Sequence, residues 1–163
     1  MPAADDSAAR VAERAGGELS PAELGAWRGF LRVHAALVKE LDAELAAEHE
    51  LPLSSYEVLI TLQAAPRHRC RMAELADSVL LSRSGMTRLV DRLEREGLLD
   101  RCSCDHDARG AYACLTSAGA KRLEEARATH LALVREQFIS RFSAAELAAM
   151  AEMWARIAPC DPC

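Results

Sequence analysis

Between Met72 and Leu115 the spacing of the apolar residues changes once, and that change constrains the fold more than any other feature of the chain. Met72, Leu75, Ala76 and Val79 fall three or four positions apart, as do Met86, Leu89, Val90 and Leu93, which is the rhythm of two short helices each apolar along one side. Leu80-Leu81 breaks the pattern between them, Ser82 can cap the second helix, and Gly97 ends it. From Leu98 the period shortens. The segments 99–104 and 111–115 are brief, partly alternating runs around the polar loop DHDARG, and they read as a β-hairpin.

Two short helices joined by a tight turn and followed directly by a hairpin predict a winged helix-turn-helix, which assigns residues 51–119 to one lobe. On its N-terminal side, Ser20-Pro21-Ala22-Glu23 is a capping box with proline at the first helical position. Leu24, Trp27, Leu31, Val38, Leu41 and Leu45 then recur in a heptad rhythm, with His34 in the polar slot. A seam of that length packs on another long helix. Ser54-Ser55-Tyr56-Glu57 reads as a second capping box, opening a short helix that Ala65-Pro66 stops before the arginine-rich turn RHRCR. After Thr116-Ser117-Ala118-Gly119 a long helix is expected from Ala120 to about Ser140, and Ser143-Ala144-Ala145-Glu146 is a third capping box opening the last helix. The expected fold is mainly α with a small β-hairpin wing. Residues 20–50 and 120–158 form long helical flanks, 1–19 a flexible N-terminal tail and 159–163 a C-terminal tail.

Half of the 163 residues are apolar and 4% aromatic, a helix-rich composition. No window approaches the roughly 18 consecutive apolar residues of a membrane span, and the N-terminus lacks an apolar signal core, so a cytoplasmic protein without a membrane partner is expected. In that compartment the six cysteines are expected as free thiols. The net charge of −5 is unevenly spread: residues 67–110 hold nine arginines against eight acids, a balance of +1 that leaves −6 for the remainder. Arg67, Arg69, Arg71, Arg83 and Arg88 precede residue 91, opposed there by Glu74 and Asp77 alone. An acidic chain can therefore carry a basic surface.

On a helix over 82–97, Met86, Leu89, Val90 and Leu93 share one face, while Ser84, Arg88, Asp91 and Arg95 share the other, with Arg83 and Thr87 on the flanks. Arginine can bridge guanine O6 and N7, and serine and threonine can serve bases or phosphates, so Arg83, Ser84, Thr87 and Arg88 are candidates for base edges in a DNA major groove. A solvated polar face explains the same pattern. The hairpin weighs toward DNA, because Arg109 at its expected tip suits a narrow minor groove, with Asp105 and Asp107 to restrain it; Asp107 and Gly110 also suit a plain turn. No nucleophile elbow and no glycine-rich phosphate loop is present, and the chain does not read as an enzyme or as the binder of a cofactor.

The run ELADSVLLSRSGMTRLVDRLEREGLLDR followed by DHDARGAYACLTSAG resembles the MarR family of bacterial transcriptional regulators, with helix order matching over residues 20–158. The resemblance implies a homodimer joined through its N- and C-terminal helices, a winged helix-turn-helix in each subunit, and repression of genes beside a pseudo-palindromic double-stranded operator. Carried over by position, Ser82 to Arg88 become the start of the recognition helix, Asp107 and Arg109 the Asp-x-Arg of the wing, and Leu115-Thr116 with Gly119 its exit. Phosphate contacts are expected from Ser54 or Ser55, Arg71 and Arg101. The resemblance also implies relief by a small aromatic ligand, for which Trp27, Leu31 and Tyr56 are candidate lining residues. Two departures stand out, the long tail before Ser20 and the cysteines in the wing.

Those cysteines admit other readings. Cys102, Cys104, His106 and Cys114 are potential metal ligands, but C-x-C-x-H with one distant cysteine fits no common structural zinc pattern, and no metal site is assigned. Antiparallel pairing can bring Cys102 opposite Cys114 as an oxidisable pair, which would make the chain a thiol-based redox-sensing regulator; small apolar strand residues are the plainer reading. Cys160-Asp-Pro-Cys163 follows a helix instead of opening one, unlike a redox C-x-x-C. A winged helix whose polar face binds a protein is a further alternative.

Overall fold

The structure is a computed structural model that describes residues 18–78, 83–104 and 107–157, with backbone alone at residues 78, 83, 84, 103, 104 and 107–111. Its elements run α1 (Pro21–His49), α2 (Leu53–Ala64), β1 (Arg69–Arg71), α3 (Met72–Ser78), α4 (Arg83–Arg95), β2 (Leu99–Cys104), β3 (Asp107–Leu115), α5 (Ser117–Gln137) and α6 (Ala144–Ala155). Short 3₁₀ turns at Pro66–His68 and Ile139–Arg141 precede β1 and α6. The chain divides into two compact units, Met1–Ala36 and Leu37–Cys163, and α1 contributes to both. The expected class, mainly α with a small antiparallel sheet, is the one found. No helix among the described residues is long and apolar enough to cross a membrane.

α1 starts as its sequence requires: the Ser20 hydroxyl accepts from the Glu23 amide at 3.3 Å, and the Glu23 carboxylate accepts from the Ser20 amide at 2.8 Å. Of the heptad seam only Leu45 is fully buried, while Trp27, Leu31 and Val38 stay 54%, 45% and 39% exposed. In the second unit, α1 is tied to α5 by His49 Nε2 against Thr129 Oγ1 at 2.8 Å and by Arg122 donating to the His49 carbonyl at 2.7 Å.

The core lies in that second unit. Leu45, Leu51, Val58, Leu59, Leu62, Leu75, Val90, Leu93, Leu99, Ala113 and Ala126 are buried to 1% or less. Each fully buried leucine contributes on the order of 1.5–3 kcal/mol, so these side chains fix how α2 to α5 meet the sheet.

Three expectations need correction. The box at Ser54-Ser55-Tyr56-Glu57 does not cap α2: the helix begins at Leu53 after Pro52 with no side-chain cap of its own, and the Leu53 amide donates instead to Asp42 Oδ1 of α1 at 2.8 Å. A tertiary carboxylate has replaced the local one. The RHRCR segment is not only a turn, since Arg69–Arg71 is a strand pairing with β3 in a sheet of order β1-β3-β2. Arg67 and His68 both take positive φ, 59° and 54°, and the His68 ring nitrogen donates to the Gln63 carbonyl at 2.9 Å to hold that bend. Finally, α5 begins at Ser117 rather than Ala120, because Thr116 caps it, its hydroxyl accepting from the Gly119 amide at 3.0 Å and donating to the Gly97 carbonyl at 2.8 Å. A β-carbon on Gly119 would collide with the Leu98 carbonyl, so the wing's exit packs directly on the end of the α4 turn.

Candidate nucleic-acid interface

α4 sorts its residues as its spacing predicts. Met86, Leu89, Val90 and Leu93 are buried to 1%, 7%, 0% and 0%, and Thr87, Arg88 and Arg95 are exposed on the other side. Gly97, at φ 71°, ends the helix in a left-handed conformation that favours glycine. Arg83 opens α4, but its side chain and that of Ser84 lie outside the described residues, as does Ser82 altogether.

Arg92 and Arg101 anchor α4 from two directions. Arg92 Nη2 donates to Ser55 Oγ at 2.6 Å. Ser55 is 1% exposed, which corrects its expected role: its hydroxyl is inside the fold and not available to a phosphate, whereas Ser54 is half-buried. Arg101 of β2 pairs with Asp91 and, at 3.1 Å, with Glu94. All three side chains are substantially exposed, so each pair is worth about 0–1 kcal/mol and acts mainly to orient the wing strand against α4.

The hairpin registers Leu99 with Leu115, Asp100 with Cys114, Arg101 with Ala113 and Cys102 with Tyr112; after an irregularity Cys104 opposes Asp107. The loop expected over Asp105 to Gly110 is therefore shorter. Asp107 and Arg109 belong to strand β3, because cross-strand pairing resumes at Cys104, and their side chains, like residues 105 and 106, lie outside the described set. On the other edge Arg69 opposes Cys114 and Arg71 opposes Tyr112. Partners across a ladder share a face, so Arg69, Arg71, Asp100, Cys102, Tyr112 and Cys114 all lie on one side of the sheet. The opposite side carries the buried Leu99 and Ala113.

On that outer side Arg71 Nε donates to the Tyr112 hydroxyl at 2.8 Å, and the Arg69 and Arg71 guanidinium carbons stand 5.6 and 5.5 Å from the Tyr112 ring centroid. Two cations within reach of one ring hold a local positive charge in place. From the sequence Arg69 reads only as one of the basic cluster, and Tyr112 only as a strand residue. The signal was the i, i+2 spacing of Arg69 and Arg71, which puts both on one side of a strand but goes unread when the segment is taken as a turn.

Two of the cysteines expected as free thiols, Cys102 and Cys114, are joined in this structure as a disulfide with Cα atoms 6.2 Å apart. They are diagonal neighbours and not directly opposed, their register partners being Tyr112 and Asp100. Cys70 is a free thiol pushed up to about 11, first by burial and then by Glu74, whose carboxylate accepts from it. Cys160 and Cys163 lie outside the described residues, as does His106. Of the candidate ligand residues, Tyr56 is 2% exposed and stacked on His130, whereas Leu31 lines an open groove on α1 with Leu24 and Arg28, and Trp27 is exposed on the same helix. A separate apolar cavity of about 140 Å³ lies among Leu37, Leu41, Leu133, Val134 and Phe138. That is below the roughly 300–1,000 Å³ of ordinary ligand sites.

Comparison with known proteins adds family context. Residues 49–110 match the MarR family model. A MarR family transcriptional regulator from Streptomyces coelicolor, solved in complex with DNA, is similar at TM-score 0.81 and 30% identity over 87% of this chain and 89% of that one. AbsC, another MarR family transcriptional regulator from Streptomyces coelicolor, is similar at TM-score 0.81 and 30% identity over 87% of this chain and 95% of its own. The transcriptional repressor MprA of Escherichia coli is 34% identical over 70 residues, a stretch that spans 43% of this chain and 40% of the repressor.

Proposed function

The chain belongs to the MarR family of transcriptional regulators, and from that premise we propose that it acts as a homodimer on a pseudo-palindromic operator, one half-site per subunit, repressing the adjacent genes until a small aromatic ligand releases it. The observation that carries this reading is α4, which buries one face completely and turns Thr87 and Arg88 outward near its N-terminal half. That is the part of a recognition helix that reaches base edges. Arg83, Ser84 and Ser82 extend the same reading surface by sequence position, Arg71 and Ser54 supply phosphate contacts, and Arg101 serves by orienting the wing. Asp107 and Arg109 complete the interface from the wing. Acting on chromosomal DNA, the protein works in the cytoplasm.

Dimerisation belongs to residues 20–50 and 120–158. The support is the apolar surface those helices leave open, including Trp27, Phe30 and Leu31 on α1 and Met153 and Trp154 on α6. A second copy would cover it. Two-fold symmetry then sets the recognition helices one DNA turn apart, about 34 Å.

Fluorescence anisotropy with a duplex from the protein's own promoter tests the reading. Arg83→Ala and Arg88→Ala should each weaken binding by about 1–3 kcal/mol, and the wild-type affinity should fall steeply with salt. Moving the half-sites apart by about five base pairs, half a turn, should abolish tight binding. A module whose polar face binds a protein would respond to none of these changes.

A further inference from the structure

We propose that Cys102 and Cys114 are a reversible oxidation site in the outer face of the wing, and that forming their disulfide fixes the Tyr112–Arg71 pair and tightens DNA binding. This rests on the DNA-binding reading above. Three observations meet at one place. The disulfide joins β2 to β3 diagonally, and both cysteines are half-buried, within reach of small oxidants and reductants. Tyr112 is the register partner of Cys102 and of Arg71, and Cys114 is the partner of Arg69, so the linkage lies on the same side of the sheet as both arginines. The ladder is irregular between Cys102 and Cys104, directly beyond the linkage, where hydrogen bonding alone holds the register least well.

The chemistry balances with a peroxide as oxidant. The two thiols give up two protons and two electrons as the sulfur–sulfur bond forms, while the oxygen–oxygen bond of hydrogen peroxide breaks and leaves as two waters. A dithiol reverses the step by taking the disulfide through a mixed disulfide back to two thiols. Where a cell keeps thiols reduced, the pair rests as a dithiol and the linkage records exposure to oxidant. Cross-linking adjacent strands removes alternative registers from the free protein, so less ordering is left for the moment of binding. Cys70 does not compete as the reactive thiol: it faces the other side of β1, where burial and Glu74 keep it protonated.

The test uses the full chain carrying Cys70→Ser, Cys104→Ser, Cys160→Ser and Cys163→Ser, treated with hydrogen peroxide or with dithiothreitol. Peptide mass spectrometry should find Cys102 linked to Cys114 after peroxide, and anisotropy with the promoter duplex should show the oxidised form binding about three- to tenfold tighter. Adding Cys102→Ser and Cys114→Ser should give the reduced form's affinity under both treatments. Tyr112→Phe, which keeps the ring and loses the bond to Arg71, should narrow the gap between the two forms. Absence of the linkage, equal affinities, or tighter binding by the reduced form would overturn the proposal. If neither form binds DNA, the DNA reading is what fails, and amide exchange then decides the wing: slower exchange over residues 99–102 and 112–115 after oxidation sustains the site, and equal exchange removes it.

Discussion

His130 stacks its ring on Tyr56, centroids 4.5 Å apart, and buries Nδ1 with no hydrogen-bond partner among the described residues. Burial holds its imidazole below the ordinary value of 6.5 and pushes the Tyr56 phenol above its own. The charged groups that Tyr56 feels are Arg127 and Glu124, both on the same helix as His130. Because the unfolded chain takes up the histidine proton near pH 6.5 and the folded chain only at lower pH, the unfolded state binds more protons across that interval. Stability should therefore fall as pH drops from about 6.5 through the lowered folded value. His130→Phe keeps a ring on Tyr56 and removes the titration, so a plot of its Tm against pH should be flatter than wild type below pH 6.5. Equal slopes would place the acid sensitivity in another group. Ser55 gives the complementary lesson at this scale: a serine that reads as a phosphate contact is in fact an internal acceptor for Arg92.

At the scale of elements, the recognition helix and the wing differ in how they could be read. The helix repeats every three to four residues, so its buried and exposed sides follow from spacing, and Met86 to Leu93 went to the core as that spacing requires. A short hairpin has too few residues to declare its own register. Pairing of Cys104 with Asp107 puts Arg109 in β3 and not in the loop, which changes what carries it while leaving its proposed target intact. If Arg109 enters a minor groove, Arg109→Ala should weaken binding to operators with A·T-rich flanks far more than to those with G·C-rich flanks, since the narrowed groove concentrates the negative potential. Arg109→Lys should recover part of that loss, an ammonium being the more strongly hydrated charge. Affinities measured on both flank types that are the same for wild type and Arg109→Ala would return the segment to plain structural duty.

At the scale of the whole molecule, the first and last of the described helices leave large apolar side chains exposed. Trp27, Leu31 and Val33 on α1, and Phe142, Met153, Trp154 and Ile157 toward the C-terminus, are between 37% and 78% exposed. Under the proposed homodimer a second copy covers these residues and couples folding to association, so the wild-type Tm should rise with protein concentration. Trp27→Glu with Trp154→Glu should shift the species seen in sedimentation velocity from dimer to monomer and weaken operator binding, because one half-site is then read at a time. A double variant that sediments as wild type would remove these helices from the interface.

What the sequence determined by itself was whatever repeats or caps within a few residues. The capping boxes at Ser20 and Ser143, the two faces of α4, the stop at Gly97 and the order of helices, turn and hairpin all depend on neighbours at most four positions apart. Tertiary structure decided the rest. Arg71 meets Tyr112 from 41 positions away, Arg92 meets Ser55 from 37, and the Leu53 amide finds Asp42 on a preceding helix. The edge strand β1, the diagonal Cys102–Cys114 linkage and the loss of Ser55 to the interior all follow from such encounters. Spacing along a chain specifies which side of an element a residue occupies, but not which distant element arrives to meet it, because that depends on how all the buried faces pack together at once.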